Sequence, residues 1–192
     1  MKIGLFGNNM DRMPRFAFRM MKWMFDVRDR FVSVGSLLDQ FGIERGQTVV
    51  DYGCGPGSYL RHASELVGPK GRVLAIDIHE LAIAAVKKRI AKESWTNVSA
   101  VLTDGSNTPI ADDTADIIYA LDMFHMVSQP DVFMGELNRI CKENGFLFID
   151  NGHQSRKEAR AKIMTSGLWG IVEEKKRYMK CRPIKKDMPE AA

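Results

Sequence analysis

The run Val49-Val50-Asp51-Tyr52-Gly53-Cys54-Gly55-Pro56-Gly57-Ser58 constrains the fold more than any other part of this 192-residue chain. Thr48, Val49 and Val50 are β-branched or apolar without alternation, the pattern of a central parallel strand covered on both faces. A carboxylate, Asp51, falls at the end of that strand. Glycines at alternate positions then let backbone approach a ligand with no Cβ in the way. The design recurs downstream. An apolar run over 72–77 ends in Asp77, a third over 98–103 is followed by Asp104-Gly105, and a fourth over 115–121 is followed by Asp122. Ligands bind outside the carboxyl ends of strands in open α/β sheets, so Asp51, Asp77, Asp104 and Asp122 are expected to line one crevice.

Charge and spacing then narrow the ligand. A dinucleotide fingerprint reads GxGxxG and offers a helix N-terminus to pyrophosphate, whereas this turn reads GxGxG with Asp51 directly before Tyr52 and the first glycine. A carboxylate there repels a diphosphate and favours a ligand that carries a positive amino group and a sulfonium, as S-adenosylmethionine does. Asp77 stands at the interval after the glycines that a ribose-binding acid requires. A tight strand-to-helix turn with no ligand is the bland alternative.

From Thr48 onward strands and helices alternate, which argues a doubly wound α/β sheet with helices on both faces. Helices are expected over 57–67, 79–92, 131–140 and 154–166, and closing strands over 168–174 and 177–184, joined by a hairpin at Lys175-Lys176. An apolar content of 45% suits one packed domain. No apolar run approaches the length of a membrane span and no signal-peptide pattern opens the sequence, so the expected setting is cytoplasmic. Cys54, Cys141 and Cys181 lack CxxC spacing, and His62, His79, His125 and His153 lack HxxxH or HExxH spacing, so no disulfide framework and no metal are expected.

Four segments carry a likeness to a known family: VVDYGCGPG (49–57), VLAIDIHE (73–80), LTDGSNTPIADDTADIIYALDMFHMV (102–127) and ELNRICKENGFLFID (136–150). Through them the chain resembles the class I S-adenosylmethionine-dependent methyltransferases, and within these the type 11 group that includes quinone-biosynthesis enzymes. The resemblance implies a Rossmann-like, mostly parallel seven-stranded sheet with an antiparallel closing strand. It further implies that Gly53, Gly55 and Gly57 pack under the methionine and ribose parts of the cofactor, with Asp51 supporting the turn. Asp77 would hold the ribose diol, Ile78 would pack on the adenine face, Asp104 with Gly105 beside it would meet the adenine amine, and Leu121 would offer its carbonyl to the methionine ammonium. Where the family has a Lys-Pro-Gly-Gly turn, this chain has Lys142-Glu143-Asn144-Gly145, in which Asn144 is expected to keep a positive-φ turn.

Residues 46–192 are thus read as the cofactor-binding domain and 1–45 as a helical lid or cap. Over 14–34, Ala17, Met20, Met21, Met24 and Phe31 fall at helical spacing between charged residues. Three roles for this methionine-rich helix stay open: packing on the core, covering the site, or peripheral contact with a membrane surface. The expected acceptor is a small or medium-sized molecule. Alternatives are an RNA or protein acceptor docked on the basic tail (Lys175, Lys176, Arg177, Lys180, Arg182, Lys185, Lys186), or a non-enzymatic binding subunit. The tail reads more simply as a solvated strand edge, which makes nucleic acid the poorer partner. If the acceptor must lose a proton, His125 is the best-placed base, ahead of Tyr119 and Asp122. Oligomeric state is open.

Overall fold

A computed structural model describes residues 34–185, together with Pro14, Phe16, Ala17, Met20 and Met24. Phe16, Ala17, Met20 and Met24 are helical. The rest of the expected N-terminal helix, and Lys186 of the basic tail, lie outside the described residues. Seven strands form one sheet: β1 (Thr48–Tyr52), β2 (Arg72–Asp77), β3 (Val98–Leu102), β4 (Ala115–Ala120), β5 (Cys141–Ile149), β6 (Trp169–Glu174) and β7 (Met179–Pro183). Their order is β3-β2-β1-β4-β5-β7-β6. The first five are parallel, and β7 enters antiparallel between β5 and β6. This is the doubly wound, mostly parallel arrangement that the sequence implies, closing pair included.

Among the described residues from 34 onward, four α-helices cover the sheet: α1 (Leu60–Val67), α2 (Glu80–Glu93), α3 (Pro130–Ile140) and α4 (Arg156–Thr165). Strand residues alternate between two apolar layers, as a period of two requires. Val50, Ile118, Ala120, Leu147 and Ile149 pack with α3, α4 and Trp169. Val49, Ile117, Tyr119 and Phe148 pack with Leu60, Ala63 and Val67 of α1. The second layer begins before residue 46, earlier than the sequence suggests. A 3-10 turn over Val34–Gln40 buries Leu37 and Leu38, and Phe41 stacks on Phe148 with ring centroids 4.1 Å apart. These residues therefore pack into the core. Local signals fix the helix starts: Ser155 and Glu158 form a reciprocal capping box on α4, and the His79 ring accepts from the Leu81 N–H at the start of α2.

One expectation needs correction. Lys142 to Gly145 do not form a positive-φ turn: they lie within β5, and neither Asn144 nor Gly145 has positive φ. The extra residues are absorbed as a bulge, for the register passes from Ala115↔Cys141 to Ile117↔Phe146. Gly145 is required for closeness instead, because a Cβ there would stand 2.9 Å from the carbonyl oxygens of both Ala115 and Asp116. Gly145→Ala is predicted to cost about 1–3 kcal/mol. Asn144→Gly, harmless in a positive-φ turn, is predicted to cost about 0.5–1 kcal/mol in an extended strand. Urea denaturation of both variants checks this, and a stabilised Asn144→Gly would count against the bulged strand.

Candidate active site

The chain runs outward through β1, β2 and β3 and then returns to place β4 beside β1, so the order reverses between β1 and β4. A cavity of about 200 Å³ opens at this switch point, beyond the carboxyl ends of the strands. Asp51, Gly53, Gly55, Asp77, Ile78, Asp104, Gly105 and Leu121 all line it, and so does Asp122. The four strand-end acids therefore meet in one place. Gly57 does not line the cavity. Its missing side chain makes room for Leu60, whose Cδ1 would lie 2.7 Å from a Cβ, so this glycine packs the turn onto α1.

The turn after β1 is tied to the end of β2. The N–H groups of Gly53 and Cys54 both donate to the Ile76 carbonyl, at 2.8 and 2.9 Å. One Asp77 oxygen accepts from the Gly55 N–H at 2.8 Å and the other from the His79 N–H at 2.7 Å. Arg89, reaching from α2, donates to the Gly57 carbonyl at 2.7 Å. Gly55 has φ +51 and no atom within 4 Å of where a Cβ would stand, so the space beside it belongs to the cavity.

Burial sets the electrostatics of this wall. Asp51 is 3% exposed, and loss of hydration pushes its carboxyl up to about 8, with the neighbouring Asp77 adding to the shift. The Tyr119 hydroxyl lies near enough to pull the other way, yet it stands off hydrogen-bonding geometry: neither it nor Asp51 Oδ2 has a partner. Burial also raises Asp77, which its backbone N–H bonds partly offset. Asp104, by contrast, is exposed and held below the usual range, because Oδ1 accepts from the Ser106 N–H and hydroxyl and from the Asn107 N–H.

His125 is not on the cavity wall. It belongs to a 3-10 turn, Phe124–Met126, and its ring packs edge-on against His153 with centroids 4.6 Å apart. Loss of hydration, then the His153 charge, pulls it below the ordinary histidine value. Met123 and Met126 of the same stretch do face the cavity.

Two contributors, Asp150 and Glu136, were not read from the sequence. Asp150, at the end of β5, accepts from the Asp122 N–H and the Gly152 N–H, each at 3.0 Å, and burial lifts its carboxyl to about 6. Asp122 itself is held at φ +60, a strained conformation for a residue with a Cβ. Glu136, buried on α3, accepts from the Thr108 N–H and hydroxyl at 2.8 and 2.7 Å and pairs with Arg139, which pins the loop after β3. A lone charged residue on the buried face of α3 is the one signal that could have pointed to it.

A parallel sheet with a reversed order, a glycine turn and acids at the strand ends defines a nucleoside-binding α/β protein of the methyltransferase class. The family model described as "Methyltransferase domain" matches residues 50–149, and the chain belongs to that family, the type 11 group of class I S-adenosylmethionine-dependent methyltransferases. The chain is 31% identical over 113 residues to a demethylmenaquinone methyltransferase of Staphylococcus aureus, a match covering 58% of this chain and 45% of that protein. The chain thus spans under half the length of the curated relatives it matches. Among solved structures, a SAM-dependent methyltransferase from Aquifex aeolicus superposes with a TM-score of 0.74 at 28% identity, over 86% of this chain and 97% of that one. The [4+2]-cyclase SpnF shares the fold at 18% identity and a TM-score of 0.63, over 76% of this chain and 58% of that one.

The residues present fit the cofactor that this family implies. Asp51 Oδ2 is buried without a partner on the cavity wall, Gly55 leaves open space where a side chain would stand, and each Asp77 oxygen has a lone pair beyond its one backbone N–H bond.

An acid whose folded pKa lies above its unfolded one binds its proton more tightly when folded. Its presence therefore costs stability increasingly as pH rises from the ordinary carboxylate range to about 8. Relative to Asp51→Asn, the ligand-free wild type is predicted to lose about 2–4 kcal/mol between pH 5 and pH 8 and little further above that. Chemical denaturation of both proteins across this range measures the difference, and a gap that stays constant with pH would contradict a protonated Asp51.

Proposed function

We propose that the chain transfers the methyl group of S-adenosylmethionine to a small, largely apolar ring compound of the quinol type. The observation that carries this reading is Asp51, a buried carboxylate left unpaired on a cavity wall that three further acids share. Such a wall favours a cationic nucleoside, which can draw the buried acid into its charged form, over a diphosphate, which cannot.

In this reading Asp77 accepts from the ribose hydroxyls with the lone pairs that Gly55 and His79 leave free, and Ile78 packs on the adenine face. Gly105 admits that packing because even a Cβ there would lie 3.3 Å from Ile78 Cγ2. Asp104 meets the adenine amine through Oδ2, its other oxygen being engaged, and the Leu121 carbonyl receives the methionine ammonium. The cofactor brings a methyl already activated on sulfur, so the protein's task is alignment and exclusion of water more than side-chain chemistry.

On the acceptor side, Met123, Met126, Val127, Val132 and Phe133 give the cavity an apolar wall. Methionine adapts to irregular apolar ligands, and the curated relatives are named for a quinone acceptor. Phe16, Met20 and Met24 of the N-terminal helix are exposed, the kind of apolar face that a cap over such an acceptor needs. The basic tail is largely occupied within the fold, which disfavours nucleic acid. Lys180 and Arg182 lie over the Phe146 ring, Lys175 pairs with Glu173, and Lys185 pairs with Asp113 and bonds the Asn138 carbonyl.

Titration calorimetry is expected to find binding of S-adenosylmethionine and adenosylhomocysteine and none of NADH or ATP. Asp77→Asn should weaken adenosylhomocysteine by about tenfold or more. Transfer of a radiolabelled methyl group should reach reduced benzoquinols or naphthoquinols and not RNA. Labelled RNA with unlabelled quinols would overturn the acceptor class, and tight NADH binding would overturn the whole reading.

A further inference from the structure

The buried acid at the end of β1 is placed to do more than hold the cofactor. We infer that Asp51 is a neutral acid in the empty cradle and gives up its proton when the cationic nucleoside enters, so that it distinguishes the sulfonium cofactor from its uncharged thioether product. This rests on the cofactor assigned under the proposed function and deepens it.

The geometry around Asp51 argues for the neutral form. From β1 and its turn come Asp51 and the buried Cys54, and from β2 comes Asp77, a second carboxyl whose negative field opposes ionisation. From β4 comes Tyr119, fully buried and with an unpaired hydroxyl, and from the segment before α1 comes Tyr59. Among the described residues, no lysine, arginine or histidine acts appreciably on the carboxylate, and Oδ2 has no donor. Burial lifts the carboxyl to about 8. An ionised Asp51 in the empty site would lack both water and a counterion.

A ligand bearing a fixed positive charge supplies that counterion. The balance is simple: the Asp51 O–H bond breaks, its electron pair stays on the carboxylate, and the proton passes to solvent buffer as the cation binds. Adenosylhomocysteine retains the ammonium but has lost the sulfonium charge, so it drives the ionisation less. Loss of charge from sulfur therefore weakens the hold of Asp51 on the spent cofactor and favours its exchange.

Calorimetry of the full chain at pH 7, in phosphate and in Tris, reads the number of protons released from the difference in observed heats. Close to one proton is expected for S-adenosylmethionine, beyond the ligand's own ionisation, and clearly fewer for adenosylhomocysteine. Affinity for S-adenosylmethionine should rise by up to about tenfold per pH unit between pH 6 and 7.5. In Asp51→Asn the extra release and this slope should both vanish, leaving only the titration of the ligand's amino group as the control. Should that variant not fold, Tyr119→Phe carries the test: removing the hydroxyl that favours the ionised acid should move the affinity profile to higher pH. Equal proton release for both ligands, an unchanged slope in Asp51→Asn, or an unmoved profile in Tyr119→Phe would each overturn the inference. If S-adenosylmethionine does not bind at all, it is the cofactor reading that fails; if it binds with no proton linkage, only this inference does.

Discussion

The cradle depends on one clasp. The Asp77 carboxylate at the end of β2 accepts backbone N–H groups from both sides, Gly55 in the turn after β1 and His79 at the entry to α2. Two neighbouring donors, Gly53 and Cys54, close on the Ile76 carbonyl. Without these bonds a turn containing three glycines would sample many conformations, since glycine surrenders more backbone freedom on folding than any other residue. With them, the loop is held in one conformation. The carboxylate that fixes it keeps further lone pairs on the cavity wall.

Parallel strands explain why such acids gather. Each of β1 to β4 enters the sheet in the same direction, so their carboxyl ends share one edge, and an acid at or just past each end joins a single crevice. The reversal between β1 and β4 opens that edge, because the connections leaving the two strands run to opposite sides. Glu136 and Arg139 on α3 hold the loop after β3 through Thr108, and Asp150 links the ends of β4 and β5. The cavity wall is therefore braced at the ends of β3, β4 and β5 by residues that lie outside the cavity.

Much of this was legible in the sequence because it is local or periodic. Apolar runs marked the strands, their terminal acids marked the edge, and the glycine turn marked the switch point. What escaped depends on partners distant in the chain. Arg89 reaches Gly57 across 32 residues and Thr108 reaches Glu136 across 28, and no spacing rule joins them. The Lys142 to Gly145 stretch has the composition of a turn, yet the pull of the β4 ladder draws it into a bulged strand. His125 follows a strand end closely enough to suggest a place in the site, but the 3-10 turn that carries it sends Met123 and Met126 to the wall and leaves the imidazole against His153 and Gly152. A shift of one residue in a tight turn decides which side chain faces the ligand, and propensity does not resolve that.

The same region concentrates the structure's unfavourable terms. Asp51 Oδ2 and the Tyr52 and Tyr119 hydroxyls are buried without partners, and Asp122 is strained at φ +60. A leucine or an asparagine at position 51 would suit the empty fold better than a carboxylate stripped of water. Such a cost persists only where the surrounding structure over-determines the conformation, and here two apolar layers do so, with Val49 and Val50 fully buried on opposite faces of the strand that carries the acid. The neighbouring residues of β1 cannot turn Asp51 outward without exposing themselves, because its direction is fixed by the pleat. The alternation that builds the core therefore also holds an unsatisfied polar group in place on the cavity wall.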